Sequence, residues 1–144
     1  MVSRCSWPKS DLMIEYHDRE WGVPLHDDRR LFEYLLLDGA QAGLCWETII
    51  QRREGYREAF DRFDFKVIAA YGEDKIAELL NNPGIIRNRL KVRSSVTNAQ
   101  AYLDLQVECG SFDTYLWDFV GGNPVRNAWT GHGQIPAKTE LSDK

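Results

Sequence analysis

Val92, Val96, Ala99 and Leu103 recur at i, i+4, i+7 and i+11, which lays them in one stripe along a single helix. No stretch of the chain shows the apolar/polar alternation of a half-buried strand, so helical periodicity organises the whole sequence. The first 26 residues read as irregular, with aromatics at Trp7, Tyr16 and Trp21. Asp27 or Asp28 supplies a cap for a helix through Leu31–Leu37, ended by Gly39. A second helix is predicted from about Leu44 to Phe60, and Asp64 caps a short third that stops near Gly72. Glu73–Asn81 reads as a fourth. Asn82-Pro83-Gly84 then forces a tight turn, because proline fixes φ and glycine permits positive φ. The striped helix is the fifth, and Phe112–Val120 the sixth, followed by the loop residues Gly121-Gly122-Asn123-Pro124. There is no internal repeat, heptad run or low-complexity tract. The expectation is an all-α helical bundle, one domain over residues 1–144. At the end of the chain Ser142 or Asp143 reads as a helix entry, with an ordinary frayed tail as the other reading.

Hydrophobic residues make up 43% of the chain, enough for a packed core. No segment approaches 18 uncharged apolar residues, so no membrane span is expected. The N-terminus lacks an apolar signal region, which makes the cytoplasm the expected location. Three cysteines, Cys5, Cys45 and Cys109, argue against a disulfide framework. The net charge of −4 weighs mildly against nucleic acid as a partner. Locally the balance reverses: from Leu79 to Leu103 there is no acidic residue, while Arg87, Arg89, Lys91 and Arg93 all fall there. Such a run is either a solvated helix face or a phosphate-contacting patch.

Asp38 stands out among the charged residues. At about 100° per residue it shares a helix face with Leu31 and Leu35, opposite Arg29, Arg30 and Glu33. This reading turns a carboxylate towards the core, in a last helical turn whose dipole disfavours negative charge. Such a group is paired, protonated or functional, unless it is simply a polar helix end reaching solvent. Trp7, Tyr16, Trp21 and Trp46 lie near it in sequence. Aromatic faces with one carboxylate can sandwich a flat, electron-poor ring and bind its edge, although clustered tryptophans more often serve core packing. Pro83-Gly84-Ile85 opening into a basic helix offers free backbone N–H groups for phosphate, near Arg87 and Lys91. Cys5 and His17 are candidate zinc ligands without evident partners, or else a free thiol and a hydrogen-bonded histidine.

Several stretches are long and unusual: Arg4-Cys5-Ser6-Trp7, the run from Tyr16 to Pro24, Gln41-Ala42-Gly43-Leu44-Cys45-Trp46, Gly84 to Lys91, and Leu116-Trp117-Asp118-Phe119-Val120. In order, from residue 4 to about 136, they resemble the type I 3-methyladenine DNA glycosylases of the helix-hairpin-helix superfamily. The resemblance implies a helix-hairpin-helix DNA-binding motif and base flipping from alkylated double-stranded DNA by a monomeric enzyme of base excision repair. It implies that Trp7, Tyr16, Trp21 and Trp46 surround the flipped base, with Asp38, Tyr16 and Trp46 at the chemistry. Gly43-Leu44 would fill the gap in the duplex, and Gly84, Ile85, Arg87 and Lys91 would grip phosphate. Cys5 and His17 would be two ligands of a structural zinc.

Two departures matter. The family usually carries Glu where this chain has Asp38, which removes one methylene and about 1 Å of reach and alters the ranking of substrates. Family members also continue through a further helix that brings the remaining zinc ligands. The chain is therefore expected to be C-terminally incomplete relative to the family, unable to close a four-ligand zinc site alone, and to expose an apolar patch. The competing expectations are a non-catalytic DNA-binding module and an inactive fragment.

Overall fold

The computed structural model describes residues 3–144. Among these residues there are eight α-helices, two short 3-10 turns and no strand. The first helix, α1 (Asp11–Arg19), begins where the Ser10 hydroxyl accepts from the Met13 N–H. It corrects the irregular reading of the first 26 residues. Met13 is the only buried residue of α1, so the helix has no apolar stripe that periodicity could detect.

Helix α2 (Asp28–Ala40) is capped by Asp27, whose carboxylate accepts from Arg30 N–H, and it runs through Gly39 rather than ending there. The expected helix from Leu44 to Phe60 is two: α3 (Trp46–Gln51) and α4 (Arg53–Ala59), broken at Arg52, where φ is −97° and ψ 2°. After α4 comes a left-handed turn in which Asp61, Arg62 and Phe63 all take positive φ. Arg29 donates to the Arg62 carbonyl at 2.9 Å across this turn, and Phe63 fills the core beneath it. Asp64 then caps α5 (Phe65–Ala69), as expected. Helix α6 (Glu73–Leu80), the Asn82–Gly84 turn and the long α7 (Arg89–Cys109) follow, and α8 (Phe112–Asp118) completes the set.

Helix α7 is the axis: α2, α5, α6 and α8 all pack on it. Its buried stripe is Val92, Val96, Ala99 and Tyr102; Tyr102, not Leu103, takes the fourth place. The Tyr102 hydroxyl donates to the Asp28 carbonyl at 2.6 Å, which satisfies the phenol inside the core. The Asp28 carboxylate accepts from the Phe112 and Asp113 N–H groups and so fixes the start of α8 to the start of α2. Residues 121–144 are exposed throughout. The expected helix entry near Ser142 is a hydrogen-bonded turn with Thr139. The expected apolar patch is present on α8 and the segment after it, where Tyr115, Leu116, Phe119, Val125 and Leu141 line a groove of about 610 Å³. No helix among the described residues is long and apolar enough to cross a membrane.

The core face of α2 differs from expectation. Phe32, Glu33, Leu36, Leu37 and Ala40 are buried, while Leu35 and Asp38 are not. Seven consecutive largely apolar residues allow two assignments of the inner face. The one realised admits Glu33, because Arg57 of α4 meets its carboxylate at 2.8 Å.

Candidate active site

Asp38 thus lies on the other side of α2, one turn after Tyr34, facing an open cleft of about 320 Å³. Tyr16, Glu20, Trp21, Tyr34 and Trp117 line that cleft with it. Helix α1 delivers Tyr16, the turn after it delivers Glu20 and Trp21, and α8 supplies Trp117 as the far wall. Trp117 is fixed by its indole N–H, which donates to the Leu25 carbonyl at 2.9 Å, and by His26 stacked on it at 4.4 Å.

The expected aromatic set is assembled. Trp7 meets Trp21 edge-on with ring centroids 5.6 Å apart and approaches Tyr16 at 6.4 Å. Trp46, the first residue of α3, meets Tyr16 edge-on at 5.9 Å. Trp21 and Tyr16 face the cleft, whereas Trp7 and Trp46 pack against them from outside its lining.

The two carboxylates of the cleft are electrostatically unlike. Burial pushes Glu20 upward, but hydrogen bonds from Arg53 and Tyr34 outweigh it and hold the group below the ordinary range. The Arg53 guanidinium grips both Glu20 oxygens, at 2.6 and 2.9 Å. Asp38 has no ion pair or side-chain hydrogen bond among the described residues, and partial desolvation by the surrounding cleft pushes its carboxyl above the ordinary value although the residue is open to solvent. Burial likewise raises the Tyr16 phenol, and the charges of Glu20 and Asp38 act in the same sense. The cleft therefore holds one uncompensated negative charge between aromatic faces. That arrangement suits a flat cation with hydrogen-bond donors on its edge.

The hairpin lies on a neighbouring surface, joining α6 to α7. Arg52, the residue that breaks α3 from α4, donates to the Pro83 carbonyl at 3.0 Å. The Ile86 N–H donates to the buried Tyr56 hydroxyl at 3.2 Å. Gly55 and Gly84 lie backbone to backbone, so close that a Cβ on Gly55 would stand 2.2 Å from the Gly84 oxygen. Arg87 is exposed, as a phosphate contact requires. Ile85 is 1% exposed, so its side chain belongs to the core and only its backbone is left to approach a ligand. The Lys91 ammonium, expected on phosphate, donates instead to the Ala40 and Ala42 carbonyls at 2.8 and 2.7 Å. Those carbonyls end α2 and begin the loop carrying Gly43, at φ +78°, and the exposed Leu44.

His17 points Nδ1 at the Asp18 carboxylate, 2.9 Å away, and its Nε2 is buried without a hydrogen-bond partner. That free nitrogen suits a metal, and Cys5 is exposed twelve residues earlier. Among the described residues no group of three or more His, Cys, Asp or Glu gathers as a metal site. Cys5 and His17 alone fall short of the four donors a structural zinc takes.

Sequence reasoning gave Glu20, Tyr34 and Trp117 no role. Tyr34 carried a signal, its i, i+4 spacing to Asp38. Glu20 and Trp117 lie within the stretches that carry the resemblance, but their place in the cleft depends on packing with distant residues.

Residues 7–144 match the family model for methyladenine glycosylases. The chain belongs to that family. A DNA-3-methyladenine glycosylase of Haemophilus influenzae is 43% identical over 144 residues, covering 99% of this chain and 77% of the relative. A crystal structure of a 3-methyladenine DNA glycosylase I superposes with a TM-score of 0.94 at 44% identity, covering 98% of this chain and 78% of that one. A tyrosine-to-phenylalanine variant of such an enzyme, solved in complex with 3-methyladenine, superposes with a TM-score of 0.89 at 33% identity, covering 92% of this chain and 72% of that one. All-α architecture and family membership are thereby as the sequence led one to expect.

Proposed function

We propose that this chain is a DNA glycosylase that takes 3-methyladenine out of alkylated double-stranded DNA and hydrolyses its N-glycosidic bond. The observation that carries the reading is the Asp38 carboxylate, without ion pair or side-chain hydrogen bond among the described residues, in a cleft lined by Tyr16, Trp21 and Trp117. Adenine methylated at N3 and attached to sugar is a cation. It leaves as a neutral base when the C1′–N9 bond breaks with its electron pair going to the ring. Water then adds at C1′ and releases a proton. The protein need not protonate so good a leaving group; it must unstack the base, hold it and exclude competing geometries.

Each residue has a part in that scheme. Asp38 attracts the cation and accepts from its edge, Tyr16 and Trp21 supply ring faces, and Trp7 and Trp46 brace Tyr16. Glu20, neutralised by Arg53, fixes the Tyr34 hydroxyl without adding net charge to the cleft. Leu44 fills the space the base leaves, a role its exposure beyond Gly43 supports, and Arg87 with the hairpin backbone meets phosphate. Cys5 and His17 are proposed as two donors towards the family's zinc, and no step runs through metal.

The test is release of free 3-methyladenine from methylated duplex DNA, with Asp38→Ala alongside. Release by the native chain and not by the variant supports the reading. Salt-sensitive DNA binding without release by either would make the chain a non-catalytic binding module.

A further inference from the structure

The position of Lys91 carries a role that its place in a basic run conceals. We propose that Lys91 is a positioning residue that locks the Gly43–Leu44 loop and the end of α2 to the hairpin, and that it does not contact DNA phosphate. This rests on the glycosylase reading, since the loop has a task only if a base leaves the duplex.

Three observations support it. First, the ammonium has two short bonds to main-chain carbonyls, Ala40 at 2.8 Å and Ala42 at 2.7 Å, about fifty residues away in sequence. Second, the backbone of the same residue is tied to the hairpin side. Its N–H donates to the carboxamide oxygen of Asn88, the N-cap of α7, at 3.1 Å. One residue thus joins the root of the wedge loop to the start of the helix that follows the hairpin. Third, the carbonyls it binds, two and four residues beyond Asp38, lie at and just past the negative end of the α2 dipole. A cation there offsets the dipole that would otherwise disfavour the Asp38 charge. The loop's other hydrogen bonds are local: Gln41 N–H bonds back to the Leu37 and Asp38 carbonyls and Leu44 N–H to the Gln41 carbonyl at 2.7 Å, so among the described residues Lys91 supplies the bonds that reach it from another helix.

Phosphate contact and positioning predict different salt behaviour. A lysine that neutralises a phosphate contributes about 0.9 to the slope of log K against log salt on duplex DNA. We would compare Lys91→Met and Lys91→Gln with Arg87→Met, measuring that slope on undamaged duplex. Wedge insertion would be read separately, from 2-aminopurine fluorescence opposite a tetrahydrofuran abasic analogue, and excision from single-turnover rates. The expected result is an unchanged slope for both Lys91 variants and a reduced one for Arg87→Met. With it come loss of the 2-aminopurine signal and an excision rate at least about tenfold lower in Lys91→Met. A merely structural lysine would lower thermal stability without changing the fluorescence of the folded complex at low temperature. If Lys91→Met does not fold, Lys91→Gln, which keeps a donor and removes the charge, still decides the slope. A slope lowered by about 0.9 in either variant would make Lys91 a phosphate ligand and overturn the proposal. So would an unaltered fluorescence signal and rate. If the native chain releases no base, the glycosylase reading fails by itself, while slope and fluorescence still judge Lys91.

Discussion

Replacing Gly55 with alanine tests whether the hairpin must lie directly on α4. A Cβ at Gly55 would stand 2.2 Å from the Gly84 carbonyl oxygen and 2.9 Å from its carbonyl carbon. These are backbone atoms, which cannot rotate away as a side chain would. Restoring an ordinary contact of 3.4 Å requires the hairpin to retreat by about 1.2 Å. Overpacking of this kind costs about 1–3 kcal/mol, against which alanine in a helix recovers up to about 1 kcal/mol. The net is a loss of about 1–2 kcal/mol, or a fall in Tm of roughly 4–8 °C for a domain of this size. The phosphate contacts proposed for the hairpin would suffer the same displacement. Losing one hydrogen bond to a charged oxygen, worth about 1.5–3 kcal/mol, weakens duplex binding by roughly 10- to 100-fold. Gly39→Ala is the control. Gly39 also lies in a helix, but nothing stands within 4 Å of its Cβ position, so alanine there should raise Tm by about 2–4 °C. Calorimetry gives the two Tm values and fluorescence anisotropy the DNA affinity well below them. A Gly55→Ala protein as stable as the native chain, binding duplex as tightly, would refute the claim that this contact sets the hairpin's position.

Asp38→Asn should separate stability from binding. The folded-state pKa of Asp38 is raised, so the native state is penalised once pH rises above the unfolded value near 3.8. The variant is therefore expected to melt higher than the native chain at pH 7, the gap closing below the unfolded pKa, while binding 3-methyladenine more weakly; equal melting at neutral pH would count against burial as the cause. Tyr56→Phe leaves the Ile86 N–H without its 3.2 Å partner and should cost about 1–3 kcal/mol, read from urea unfolding. Arg62→Gly relieves a left-handed residue at φ 53° whose hydrogen bond to Arg29 uses only its carbonyl, so Tm should rise by a few degrees, up to about 1–2 kcal/mol. Metal analysis of the purified chain should find no stoichiometric tetrahedral zinc with all four ligands from one chain, because Cys5 and His17 supply two; a cobalt-substituted spectrum of tetrahedral type at one metal per chain would contradict this.

The fold was legible where local chemistry decides it, and obscure where a distant partner does. Asp64 and the α7 stripe act through their own neighbours, so cap and helix could be read from the chain; the Asn82-Pro83-Gly84 turn was also found, but Gly84 does not take the positive φ expected of it and is required instead by its close approach to Gly55. Helix α1 could not, because it buries one residue and leaves no periodic trace. The break at Arg52 was hidden as well: its guanidinium reaches Pro83, 31 residues on.

The same distinction governs the carboxylates. Glu20, Glu33 and Asp38 are alike to any reading of composition, and helical phase put Glu33 on the outer face of α2 and Asp38 towards the core. What separates them is compensation. Arg57 meets Glu33 from 24 residues away, and Arg53 meets Glu20 from 33. Asp38 has no such cation among the described residues: the ammonium that reaches the end of α2, that of Lys91, is bound to carbonyls. Periodicity counts residues along one helix and is blind to which arginine arrives from another. A carboxylate left uncompensated where its neighbours are matched is the one available to an incoming cation. The absence of a partner is thus what supports the proposed role of Asp38 as the binding charge, although helical phase had turned it towards the core.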